Sequence, residues 1–159
     1  MKIKITGREG IEAFAKRPFR PQTALISIAD WDSDFAVLEY KPEHLLQLRF
    51  DDISSEDAQE EFERRMERKP TEDERHLLSE TFHLISDAQA REIAAFVNKV
   101  RDNARLLICQ CEFGESRSAA VAAAVIEHFQ GRGTAVFADD RYFPNKVVYR
   151  KVYEALTSG

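Results

Sequence analysis

An α/β fold with a central, mainly parallel sheet flanked by helices is predicted for this chain, and three observations carry the prediction. Apolar, β-branched segments alternate with segments of helical periodicity. One of them, TALISIA (Thr23 to Ala29), is apolar and β-branched with no polar alternation, as a strand buried on both faces requires. The helical segments also carry their own start and stop signals, Ser86 with Gln89 and Gly131 being the clearest.

Taken in order, KIKIT alternates like a short strand and ends at Gly7. The next segment, GREGIEAFAKRP, places Ile11, Phe14 and Ala15 at helical spacing, and Pro18 stops it. TALISIA supplies the central strand, and EHLLQLRF supplies another that runs into Asp51 and Asp52. From Ser54 to about Lys69 the chain is highly charged. Ser54 followed by Asp57 suits a helix start, Glu→Arg pairs at i,i+4 suit a solvated helix, and Ala58, Phe62 and Met66 mark one face. Pro70 ends it. SDAQAREIAAFVNKV is the strongest helix, capped by Ser86, with Ala90, Ile93, Phe96, Val97 and Val100 as its apolar stripe. RLLICQ is a short buried strand, and SRSAAVAAAVIEHFQGRG an Ala-rich helix closed by Gly131. PNKVVYRKVYEAL is a final helix opened by Pro144, with Val148, Val152 and Leu156 on one side.

A length of 159 residues suits one core, so residues 1–159 are expected to form a single domain, with a charged helical insertion around 54–78. Hydrophobic residues at 43% and charged residues at 32% are ordinary for a globular chain. The formal net charge of −5 argues against sequence-independent nucleic-acid binding, which needs Lys and Arg massed on one face. No apolar run is long enough to span a bilayer, and MKIKITGREG lacks a signal-peptide core, so a cytoplasmic protein with no membrane partner is expected. The two cysteines, Cys109 and Cys111, are too close on extended backbone for a disulfide and are expected as reduced thiols. With no nearby histidine pair, neither a metal site nor a cofactor is expected. His44, His76, His83 and His128 show no ligand spacing and read as bystanders.

The chemistry concentrates in LLICQCEFGESRS, Leu106 to Ser118. Cys111 falls at the C-terminal end of a buried strand, and Arg117 and Ser118 open a helix, which is where open α/β sheets place ligand sites. The spacing is C-x5-R with Gly114 mid-loop. Five intervening residues can curl into a nest of inward N–H groups for a tetrahedral anion, and the helix N-terminus adds to that field. Arg117 offers a planar two-pronged donor, and the same field favours a thiolate nucleophile at Cys111.

CEFGESRSAAVAAA resembles the signature loop of the cysteine-dependent protein tyrosine and dual-specificity phosphatases. RYFPNKVVYRKVYEAL is similar to the closing segment of small bacterial dual-specificity-like members, and the resemblance spans roughly Leu45 to Leu156. It implies a protein tyrosine phosphatase-like fold of the dual-specificity type. It further implies that Cys111 attacks phosphorus, that Arg117 and the amides of Glu112, Phe113, Gly114, Glu115, Ser116 and Arg117 hold the phosphoryl oxygens, and that Ser118 assists departure of the Cys111 sulfur. The expected substrate is a phosphorylated protein or a small phosphomonoester. The family's general acid matches Asp52 best and Asp51 second, with Asp30, Asp32 and Asp34 as weaker alternatives.

The chain departs from the family pattern at three positions. Gln110 stands where the family has histidine, Glu115 brings a carboxylate to the loop, and Phe113 is bulkier than usual. Phe113, Tyr142 and Phe143 are candidate walls of the pocket. These departures keep a second reading open, a weak or inactive phosphatase-like module that binds phosphorylated ligands. A sulfurtransferase or arsenate reductase is a third, and the late position of the loop speaks against the arsenate reductase layout. The sequence does not choose between phosphotyrosine and phosphoserine or phosphothreonine, and it leaves the oligomeric state open.

Overall fold

The computed structural model describes residues 1–159, apart from the side chain of Ser79. Strands β1 (Lys2–Thr6), β2 (Thr23–Ala29), β3 (His44–Arg49) and β4 (Leu106–Gln110) form a four-stranded sheet in the order β1-β4-β2-β3. Every pair in it is parallel. The helices are α1 (Arg8–Phe14), α2 (Ser55–Met66), α3 (Glu72–Thr81), α4 (Asp87–Val100), α5 (Arg117–Gln130), α6 (Thr134–Ala138) and α7 (Lys146–Ser158). Parallel pairing demands crossovers. Helix α1 lies in the one from β1 to β2 and α2 to α4 in the one from β3 to β4, while residues 30–43 join β2 to β3 without a helix.

The register explains why β2 has no polar face. Leu25 pairs with Ile108, and both pack with Ile11 of α1 on one side of the sheet. Their neighbours Ile26 and Cys109 pair on the other side, in the larger core under α4, α5 and α7. All seven residues of β2 are buried, each large apolar side chain contributing about 1.5–3 kcal/mol by burial. In α5 every residue from Arg117 to Val125 is buried. Alanine at most of those positions lets the helix lie close to both the sheet and α7. Gly131 ends α5 in the left-handed region at φ 67°.

The expected α/β fold is therefore present, with local differences. The charged segment holds two helices rather than one. Ser54 and Asp57 form the capping box of α2, Glu67 ends it with φ 56°, and Thr71 with Glu74 caps α3. Of the stripe on α2 only Ala58 is buried, while Met66 is 51% exposed. Phe14, expected inside, lies exposed over the edge of the sheet with Lys4 above its ring. Asn145 rather than Pro144 opens α7, its side-chain oxygen accepting from the N–H groups of Val147 and Val148. The single turn of α6 had no periodic signal to announce it. Among the described residues no helix is long and apolar enough to cross a membrane.

Candidate active site

The parallel sheet delivers the C-terminal ends of β2, β3 and β4 to one side, where crevices form in open α/β sheets. Cys111 is the first residue past β4, and Arg117 is the first of α5. The loop between them is held from outside by its carbonyls. The N–H of Arg8 donates to Glu112 O at 2.9 Å, that of Phe143 to Glu115 O at 2.8 Å, and that of Asn145 to Ser116 O at 3.3 Å. The Gln110 amide donates to Cys111 O at 3.0 Å. No backbone N–H from Glu112 to Arg117 has an acceptor among the described residues. Carbonyls drawn outward leave the amides for the inside of the curl, which is a nest of donors suited to an anion.

Gly114 makes the curl possible. Its φ is +71°, and a Cβ there would sit 2.6 Å from both Gly7 N and Thr6 C. Gly114→Ala therefore meets strain and immovable backbone together. The variant is expected to lose about 1–3 kcal/mol of stability in a urea titration and to lose retention on immobilised phosphate. An unchanged midpoint with intact retention would show that the loop does not need this turn.

Cys111 is buried, 2% exposed, with its Sγ 3.1 Å from Ser118 Oγ. Cys109 has no part in this arrangement. Burial in the core pushes its thiol up to about 12, helped by the charge of Cys111 nearby, so it stays protonated and inert. Arg117 is almost wholly buried, and its NH1 donates to Phe50 O at 2.8 Å and pairs with Asp30 at 2.8 Å. Its Nε is the one buried side-chain polar atom with no partner among the described residues. A buried donor left unmade costs roughly 1–3 kcal/mol, and such groups are otherwise rare.

The two aspartates just past β3 part company. Asp52 Oδ1 accepts from Ser116 Oγ at 2.7 Å and from Asn145 Nδ2 at 3.0 Å, which fastens it to the loop. Asp51 Oδ1 instead accepts from the N–H of Trp31 at 2.9 Å. Among the departures, Gln110 is fully buried and takes a hydrogen bond from Ser27 Oγ at 2.5 Å while holding Cys111 O, so both ends of its amide are used. Glu112 turns to the Arg8 guanidinium at 2.8 Å. Glu115 is exposed. Phe113 and Phe143, at 80% and 71% exposure, stand free beside the loop, whereas Tyr142 packs with Ala119, Ala123 and Val136.

Two contacts around the site were not expected from the sequence. Asp30, read only as a weak alternative for the acid, is the ion-pair partner of Arg117. It follows directly on β2, the strand beside β4, and that adjacency was the available signal. His83, read as a bystander, stacks on Trp31 with ring centroids 4.4 Å apart, and its carbonyl accepts from the N–H of Asp51.

The parallel order and the helices on both faces give the chain a protein tyrosine phosphatase-like fold, with the Cys-to-Arg loop at the strand ends. Among solved structures the chain is similar to PTPMT1, with a TM-score of 0.53 at 11% identity over 99% of this chain and 90% of that one. It also matches Tk-PTP in the active form, with a TM-score of 0.48 at 13% identity over 99% and 92% of the two chains. A third match is the human tyrosine phosphatase-like serine/threonine/tyrosine-interacting protein, with a TM-score of 0.47 at 18% identity over 86% and 79%. No protein-family model and no curated protein sequence matches the chain.

Proposed function

We propose that the protein is a phosphomonoester hydrolase working through a cysteinyl-phosphate at Cys111. One observation carries the reading, the junction of an outward-tethered loop whose amides are unengaged with a buried thiol that meets Ser118 at 3.1 Å. In the first step Cys111 Sγ, as thiolate, attacks phosphorus and the bond to the leaving oxygen breaks, with Asp52 delivering a proton to that oxygen. The loop amides and the free Nε of Arg117 take the equatorial oxygens as charge builds. In the second step Asp52 removes a proton from water, the water oxygen attacks phosphorus, and the S–P bond breaks. Ser118 Oγ donates to the departing sulfur, inorganic phosphate is released, and the Cys111 thiolate is restored.

What fits the rim decides between a protein substrate and a small phosphomonoester. Phosphoprotein hydrolysis, on tyrosine or on serine and threonine, is the form that an exposed aromatic rim of Phe113, Phe143 and Trp31 suits best. A second reading, phospholigand binding without turnover, has one observation in its favour. Arg117 already shares NH1 with Asp30, and Asp52 and Glu115 add further carboxylates near any bound dianion.

Cys111→Ser separates the two. It is expected to abolish release of phosphate from p-nitrophenyl phosphate, by roughly 10⁴-fold or more, while still binding phosphate. Equal rates in wild type and variant would refute the hydrolase. Binding by both with turnover by neither would favour the module.

A further inference from the structure

On the edge of the sheet, reaching the N-terminal ends of β2 and β4, a groove of about 1070 Å³ runs along β1. Its floor is the free edge of the sheet, since β1 is terminal in the strand order. The ladder to β4 uses alternate residues of β1. The N–H of Lys2 donates to Arg105 O, and Thr6 O accepts from the N–H of Cys111. By that alternation Lys2, Lys4 and Thr6 face β4, and the backbone N–H and C=O groups of Ile3 and Ile5 face out into the groove. One wall is Phe14, the other Val136 and Tyr142. Such an unpaired edge is a template for another strand, and natural sheets usually cover or blunt it.

The charge of the groove points to its occupant. Lys2, Lys4, Arg20 and Arg105 line it and are exposed, with no carboxylate paired to any of them among the described residues. The one acid in the lining, Asp139, is held by Arg141 at 2.7 Å and neutralised there. A chain whose net charge is −5 thus concentrates unmatched positive charge along a strand edge. We propose that this groove docks an extended acidic peptide segment of a partner protein, which adds a strand to β1. Main-chain bonds to Ile3 and Ile5 supply affinity, and the basic rim selects acidic side chains. The proposal does not depend on turnover at Cys111.

The test uses the full chain and a blocked ten-residue peptide alternating Glu with Val or Thr, labelled for fluorescence anisotropy. Saturable binding that weakens with salt is expected, with an affinity about tenfold or more lower for Lys4→Glu/Arg20→Glu. N-methylation of alternate peptide amides is expected to abolish binding at unchanged peptide charge. Circular dichroism and p-nitrophenyl phosphate turnover of the double variant report its folding independently of the groove. Equal binding of the N-methylated peptide would overturn strand addition. Tighter binding of a single-stranded oligonucleotide, or a dimer in sedimentation that the double variant abolishes, would overturn the choice of occupant. No binding of the acidic peptide at any salt would overturn the proposal outright.

Discussion

Arg117→Lys is expected to lower kcat/KM for p-nitrophenyl phosphate by about 10³-fold while the protein stays folded. The reason lies in what the guanidinium does in three directions at once. NH1 is committed to Phe50 O and to Asp30, both at 2.8 Å, which anchors the plane of the group. That anchoring leaves Nε as a buried donor with no protein partner among the described residues, free for a phosphoryl oxygen in the proposed reaction. An ammonium group keeps the positive charge but has no rigid plane, so satisfying Asp30 takes it away from the phosphoryl oxygens. The charge itself is conserved, so the loss reports geometry rather than field. Stability should fall less than after Arg117→Ala, which removes one partner of a pair whose arginine is buried. Steady-state kinetics with a urea titration distinguish the two effects. A lysine variant within about tenfold of wild type would mean that Arg117 serves only to hold Asp30 and Phe50.

The anchoring of Arg117 depends on Asp30, and the place of Asp30 shows what the sequence could and could not tell. The loop from Cys111 to Ser118 was legible because its parts are contiguous. A buried strand, a glycine able to take φ +71° and a helix start within a few residues leave little freedom for their relative placement. The position of Asp52 near the strand ends could be read for a related reason, since it lies just past a recognisable strand. Asp30 was not, because its contact with Arg117 depends on β2 lying beside β4, and strand order is a property of the whole sheet. The Ser27 to Gln110 bond follows from the same register, in which those two residues pair directly. Hence the departure at Gln110 could be noticed in the sequence, while its solution in a partner from β2 could not. The second charged helix was missed for a different reason. Thr71 and Glu74 do form a capping box, but the helix behind them is almost wholly solvated and offers little apolar periodicity.

Asp52→Asn should show its effect through the leaving group. With p-nitrophenolate, which departs readily without a proton, a loss of about tenfold is expected; with an alkyl phosphate, whose alkoxide needs one, about 10²–10³-fold. The geometry favours Asp52 over Asp51 for the proposed role. Asp52 is held at Oδ1 by Ser116 Oγ and Asn145 Nδ2, so the carboxylate is oriented by the loop itself and Oδ2 has no protein partner among the described residues. Asp51 is spent on the N–H of Trp31 and belongs to the rim. Asp51→Asn is therefore expected to change KM for bulky substrates more than kcat, through the Trp31 and His83 stack that its main chain and side chain both support. A loss in Asp51→Asn that grows with leaving-group basicity, alongside a flat response in Asp52→Asn, would exchange the two assignments. Asn145 couples this chemistry to the fold, since one side chain caps α7 through its oxygen and fixes Asp52 through its nitrogen. Asn145→Asp keeps the capping acceptor and replaces the donor with a second carboxylate, so it should preserve most of the stability while displacing Asp52. If Asp52 is the acid, that variant acquires the same dependence on leaving group as Asp52→Asn without any change at Asp52 itself.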